Sequence, residues 1–366
     1  MKIPNPYESA YSKYFIGVVL LLMAVSAALV LFGPGLKPDI DLKGGLLISV
    51  QYDHEVDSAA LASAIQKVSG ERPSLRFYDS PTGNGVEIEL PLKAELDKAD
   101  AELAEVHRLQ ENYDRARIAL SQGQGTQAAL DAAQKALLDA AARTVKTASG
   151  SGLVASDPTA AVAEAEAAVA DARSQYRQAL LDAVNSVVTA QSVSVREVGS
   201  SLSSFFFSKT REVVLLAFVL SGILIFVVFR SFAASFAVIF GALADVTITA
   251  GVMSLLGIPL SLATVAALLM LIGFSLDTDV MLTSRVLKRR EGTPKSRAFD
   301  AMKTGFLMNL TTVAAFGVLA AIAVILQIGT YYQIGMVATI GGMVDFIATW
   351  AGNAPLIIQY AEKKKL

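Results

Sequence analysis

"IGFSLDTDVMLTSRVLKRR", residues 272–290, starts as the apolar body of a membrane-spanning helix and ends in a cluster of cations. Two carboxylates, Asp277 and Asp279, lie between, about two turns before the basic end. A carboxylate facing hydrocarbon costs about 2.5–3.5 kcal/mol at the centre of a span. The stretch therefore either faces something polar or does not cross a bilayer, and the rest of the chain has to decide.

Composition favours the bilayer. Of 366 residues, 53% are hydrophobic, with a mean hydropathy of +0.50, more apolar than a soluble chain of this size requires. Six apolar segments reach the roughly 20 residues that a span needs: 14–32, 212–229, 232–256, 260–286, 304–328 and 333–360. The first follows Lys2 and Lys13, but its apolar run is longer than a signal peptide's and predicts a retained anchor. The net charge of −2 shows no basic face for nucleic acid. Without cysteine there is neither a disulfide nor a thiolate metal site. His54 and His107 have no partner at ligand spacing, so neither metal nor cofactor is expected.

Positive charge orients the spans. "RVLKRREGTPKSR" (residues 285–297) and "KKK" (363–365) are the strongest basic clusters beside span ends. Placing both in the cytoplasm puts the N-terminus and the turn at Arg230 there too, and leaves the uncharged turns "LGIPL" and "QIGTYY" outside. The long segment between the first two spans, residues 33–211, then also lies outside.

That segment reads as α+β. "GGLLISVQYD", "SLRFYD" and "GVEIEL" alternate as strands, the last two joined by the turn-rich "SPTGNG". "DSAALASAIQKVSG" is a helix capped by Asp57, and "QSVSVREV" supplies a fourth strand after a long interruption. With a second helix, this β-α-β-β-…-β order is the ferredoxin-like sandwich. The interruption, residues 92–189, is Ala-rich and charged, with Leu96, Ala99, Leu103, Val106, Tyr113 and Leu120 near heptad spacing. "GQG" at 123–125 and "ASGSG" at 148–152 break it, and Asp157 with Pro158 starts a third helix. It reads as a helical hairpin or small bundle, separable from the sandwich; a flexible Ala-rich spacer would have the same composition.

Four carboxylates fall within spans: Asp245, Asp277, Asp279 and Asp345. They should face the bundle interior, either as a relay for protons or charge or as packing groups. Asp277 and Asp279 point about 200° apart, so one cavity cannot easily hold both. Asp277 lies about 3 Å further from the basic boundary and is expected to be the deeper, working group, with Asp279 reaching towards the boundary. Arg285, about 12 Å beyond Asp277, is expected to snorkel to headgroups. Gly241, Gly251, Gly341 and Gly342 would let helices approach closely.

These residues resemble the SecD and SecF export family. "PDIDLKGGLLISV", with Asp41, Gly44 and Gly45, is similar to the motif that opens the family's first extracytoplasmic strand, and "GFSLDTDVMLTSRVLKRREG" to its fourth-span signature. The wording of the latter and the short chain point to the archaeal SecF branch. By that resemblance Asp277 matches the family's acidic-or-Asn position and Arg285 its closing Arg. Thr278 replaces an acidic residue of the bacterial form, and Asp279 stands at its hydroxyl position. Asp245 lies in a "DV" similar to the third-span motif. In the fifth span Thr304 stands near the bacterial intramembrane Arg, beside Lys303, with Asn309 a further polar partner in reach.

The resemblance implies an integral membrane α-helical bundle of six transmembrane helices, with an extracytoplasmic α+β ferredoxin-like domain carrying a long helical insertion. The expected organisation is 1–32 for the cytoplasmic N-terminus and first span, 33–211 for the outer domain and 212–366 for the other spans. The implied role is a non-enzymatic auxiliary of protein export at the cell membrane. Its partners would be a SecD-like subunit, the SecY translocon, unfolded polypeptide and membrane lipid. A proton- or ion-coupled transporter half of the resistance-nodulation-division type is the alternative.

Overall fold

The structure, a computed structural model, describes residues 4–364 except 55, 81, 82 and 327. Lys2, Lys365, part of "SPTGNG" and the first residue of "QIGTYY" lie outside the described residues. Two compact units form: one from residues up to Asp39 together with those from Ser208 onward, the other from Ile40–Phe207.

In the Ile40–Phe207 unit the chain runs from α2 (Ile40–Lys43) through β1 (Gly45–Tyr52), α3 (Ser58–Ser69), β2 (Ser74–Ser80) and β3 (Gly83–Leu90). It continues through α4 (Ala94–Ser121), α5 (Gln127–Ser149), α6 (Pro158–Asn185) and β4 (Ala190–Val198). The antiparallel sheet has the order β2-β3-β1-β4. Alternation builds it: Leu46, Ile48, Val50 and Tyr52 are buried on one face of β1, facing Leu61 and Ile65 of α3 and the Val86, Ile88 and Leu90 row of β3. Each such aliphatic side chain contributes about 1.5–3 kcal/mol on full burial. Asp57 caps α3 by accepting from the Ala59 and Ala60 N–H groups. Gly44 (φ 79°) and Gly45 (φ 135°) turn the chain from α2 into β1, and a Cβ at Gly45 would strike the Leu90 carbonyl.

The Ala-rich interruption is three helices around a core of Val106, Leu137, Ala140, Ala141, Val145, Ala161, Val162 and Ala165. Small alanines let the axes come close. Gly150 (φ 72°) ends α5, and Asp157 starts α6 by accepting from the Thr159 and Ala160 N–H groups. This bundle shares a helix with the sandwich. The first half of α6 belongs to its core, whereas Leu180 and Val184 at the other end belong to the sheet's core. Arg173, midway, pairs with Asp100 of α4 and with Glu197 of β4, the latter at 3.4 Å. The sandwich's second helix is thus the end of the insertion's third.

The other unit takes α1 (Phe15–Phe32), then α7 (Ser200–Phe229) from Ser208 onward, α8 (Phe232–Leu256), α9 (Leu262–Lys288), α10 (Pro294–Leu326), α11 (Gly329–Ile347), a π-helical turn (Ala348–Asn353) and α12 (Ala354–Lys363). Among the described residues, with α11 to α12 taken together, six helices are long and apolar enough to cross a membrane. Two start about ten residues before the apolar run shows them. The first turns of α7 carry Leu202 and Phe205–Phe207 but are cut from the apolar run by Lys209, Arg211 and Glu212, and α10 begins with Pro294 at its first position, where Thr293 accepts from the Ser296 N–H. The last span is interrupted: Pro355 lacks the N–H that would bond back one turn, and the π turn precedes it. The glycines act as expected. A Cβ at Gly251 would overlap Ser26 of α1, one at Gly341 would overlap Leu271 of α9, and one at Gly342 would crowd Val313 of α10.

Contacts within this unit fix which ends share a side. Asn5 donates to the Lys295 carbonyl at 3.3 Å, Lys295 lies 3.8 Å from Glu362, and Ser231 is 2.8 Å from the Tyr360 hydroxyl. The start of α1, the basic loop, the α7–α8 turn and the end of α12 are therefore together. The segment after α1 lies beside the α8–α9 turn, where Asp39 N–H donates to the Leu260 carbonyl and Leu260 N–H to that of Lys37, both at 2.8 Å.

Candidate functional site

Three spans each carry one carboxylate into the same enclosed interior. Asp245 of α8, Asp279 of α9 and Asp345 of α11 are 0%, 0% and 2% exposed. Ser275, one turn before Asp279, donates its hydroxyl to Asp245 Oδ2. Asn309 of α10 donates its amide to Asp345 Oδ2 at 2.7 Å. Thr349, in the π turn, reaches two carboxylates, Asp279 Oδ1 at 2.9 Å and Asp345 Oδ1 at 3.1 Å. The carboxyls of Asp245 and Asp345 lie within hydrogen-bonding reach of each other. Gly241 makes the room, since a Cβ there would collide with Asp279 Oδ2.

Among the described residues no Lys or Arg pairs with these three groups, and no His, Cys, Asp or Glu triplet stands at metal-binding separation. Asn353 lies beside Asp279, and the buried hydroxyls of Thr249 and Thr283 around the cluster have no hydrogen-bond partner among the described residues. Uncompensated buried carboxylates are costly, so their retention needs a use.

The expected site residues divide. Asp245, Asp279, Asp345 and Asn309 come together. Asp277 does not: its side chain is exposed, while Asp279 is fully buried, the reverse of the order expected from depth. Rotation about α9, not distance from its basic end, decides burial. Ser275, Asp279, Leu282, Thr283 and Val286 form the packed face, and Asp277 points the other way. Thr278 bonds to its own helix at the Phe274 carbonyl, 3.2 Å away. Arg285 neither snorkels freely nor meets Asp277; it donates to Thr304 Oγ1 at 2.8 Å and to the Asp300 carbonyl at 3.2 Å, tying α9 to α10. Asp41, Gly44 and Gly45 belong to the other unit, where the glycines set backbone geometry. Sequence reasoning missed Ser275 and Thr349, and gave Gly241 as room for a neighbouring helix where the structure places the Asp279 carboxylate. Each lies four residues from a buried Asp on the same helix run, so a search for polar and small residues at that spacing finds all three.

A polytopic helical membrane protein with a carboxylate cluster enclosed by its spans is the class that this fold and site define. The description "protein export membrane protein SecD/SecF, C-terminal" matches residues 178–363, just over half of the chain, and the chain belongs to that family. It is similar to the protein-export membrane protein SecF of Methanothermobacter thermautotrophicus, with 41% identity over 48% of this chain and 61% of that protein. The corresponding protein of Methanocaldococcus jannaschii is 42% identical over 46% of this chain and 60% of its own. The chain thus matches about 60% of the length of these relatives. In fold it is similar to the crystal structure of SecDF, a translocon-associated membrane protein from Thermus thermophilus. The TM-score is 0.61 at 17% identity, over 98% of this chain and 39% of that one.

Proposed function

We propose that this chain is an auxiliary subunit of protein export, working with a SecD-like half to promote passage of unfolded polypeptide through the SecY translocon. It makes and breaks no covalent bonds in this role. The family and the names of its relatives support the export reading. The observation that carries the mechanism is the Asp245–Asp279–Asp345 cluster without a cation.

Hydrogen-bond counting gives the cluster its chemistry. Thr349 has one hydroxyl proton for two carboxylates, and Asp245 and Asp345 can bond to each other only through a proton. One or more protons carried by the cluster would supply the missing bonds in the enclosed state. Losing them leaves like charges facing each other in an enclosed interior, which only a rearrangement of the spans or entry of water relieves. Proton loading and release would in this way be linked to span movement.

Asp277 supports the partner. Exposed on α9 within an apolar span, with open space beside Gly273 one turn earlier, it is costly against lipid. A SecD-like half laid along this face with a hydrogen-bond donor would remove that cost. The sheet order β2-β3-β1-β4, with α3 and the end of α6 on one face, supports the ferredoxin-like description of the Ile40–Phe207 unit. Lys and Arg at 285–297 support a cytoplasmic basic loop and an outward Ile40–Phe207 unit.

Affinity purification of the full chain from membranes, together with export and drug-efflux assays after its deletion, tests the reading. Co-elution with a SecD-like chain and slowed secretion are expected. Intact secretion with lost efflux would instead favour the transporter alternative.

A further inference from the structure

We infer that Tyr7 is a positioning residue for the carboxylate cluster. Its hydroxyl supplies a hydrogen bond that the last span lacks, and so holds the π turn that presents Thr349 to Asp279 and Asp345. The use of the cluster rests on the export reading above; the hold on the turn rests on geometry alone.

Tyr7 belongs to a short 3-10 helix (Pro6–Glu8) ahead of α1, yet it is only 2% exposed. It shares a core with Ala237 of α8, Leu282 of α9, Ala301 of α10 and Ile357 of α12. Asn5 aims it, accepting from the Tyr7 N–H at 3.0 Å and donating to the Lys295 carbonyl at 3.3 Å. At the far end of the ring the hydroxyl donates to the Trp350 carbonyl at 3.0 Å. Met302 Sδ, at 3.9 Å, is the weaker acceptor for the same proton. A phenyl ring would fill the apolar part of this space equally well, so the hydroxyl calls for a reason.

The reason lies in the turn. The Ala354 N–H donates to the Thr349 carbonyl, five residues back, as a π register requires. The corresponding donor for the Trp350 carbonyl would be residue 355, a proline with no N–H. In this register the helix has no donor left for that carbonyl, and Tyr7 reaches it instead. Without the hydroxyl, the buried carbonyl is satisfied if the Ala354 N–H moves to it, which rewinds the backbone between Thr349 and Asn353 into an α register. Both of those residues stand beside Asp279, Thr349 at 2.9 Å, and Thr349 also bonds to Asp345. Rewinding would change how they meet the carboxylates. The Trp350 ring cannot follow freely, because it lies against Gly305 of α10, where a Cβ would strike it.

The chain holds a single tryptophan, so a heavy-carbon label on the tryptophan carbonyl marks Trp350 alone. The labelled full chain in detergent is studied by infrared spectroscopy. Tyr7→Phe keeps the ring and deletes one hydroxyl. The labelled carbonyl band should move to higher wavenumber, and the carboxyl band that Asp279→Asn removes should shift with it, while the unfolding midpoint stays near the parent's. Thr349→Val should shift the same carboxyl band, and Tyr7→Phe added to it should shift it no further. Asn5→Ala, which loosens the segment from outside the packed core, should move both bands in the same direction by less. An unmoved carboxyl band in Tyr7→Phe, or in Asn5→Ala should Tyr7→Phe not fold, would overturn the inference, as would additive shifts in the double variant. Secretion that survives deletion of the whole chain would overturn the export reading instead, and the infrared result would still decide Tyr7.

Discussion

Gly241 shows how one missing methyl group sets the chemistry of the spans. Its place is taken by the Asp279 carboxylate, so Gly241→Ala forces that group or the α8 backbone to move. Overpacking of this kind costs about 1–3 kcal/mol. Gly273→Ala, on the open face of α9, meets nothing within 4 Å and should leave stability unchanged. Thermal unfolding of the two variants in detergent checks the contrast; equal behaviour would mean that the cluster is not tightly packed. Position alone does not reveal this. That spans contain four carboxylates is plain in the sequence, and so is the opposition of Asp277 and Asp279, but which of the two is enclosed depends on how neighbouring helices meet α9. Burial order was misjudged because depth is readable from one helix and rotation is not.

Among the elements, α6 is the one whose double role was hidden. Its apolar residues serve two cores in succession, so no single period marks where the bundle stops and the sandwich starts. The strands were legible because each alternates within one sheet. Deleting residues 95–182 removes Leu180 and Arg173 and should unfold the sheet. A cut of 108–165 closed by a few Gly and Ser residues joins His107 to Glu166, whose side chains already touch at 2.8 Å, and should keep it folded. Limited proteolysis of both distinguishes them, and equal resistance would show that α6 is dispensable. Glu197, beside Arg173, adds a pH signature. Burial raises its pKa above the usual Glu value, with Asp100 adding to the shift and Arg173 opposing it. Its favourable contribution is therefore complete below about pH 4.3 and is lost as pH rises through the elevated folded value. Glu197→Gln should flatten the decline of the unfolding midpoint across that window, and an unchanged slope would remove Glu197 from the account.

On the scale of the whole molecule, the contacts that put the basic loop with both ends of the span set agree with one parity, and the charge asymmetry gives it a direction. Reporters after Arg290 and at Gly123 should read inside and outside respectively, and a cytoplasmic Gly123 would invert the scheme. The central claim is that the enclosed carboxylates, not the exposed one, couple the spans to export. Secretion is compared in cells expressing Asp279→Asn or Asp277→Asn, with recovery of the SecD-like partner measured from the same membranes. Asn keeps size and hydrogen-bonding capacity but cannot carry a titrating proton. The account predicts that Asp279→Asn retains its partner and loses export, while Asp277→Asn exports nearly as well as the parent. Normal export by Asp279→Asn with the complex intact would contradict it.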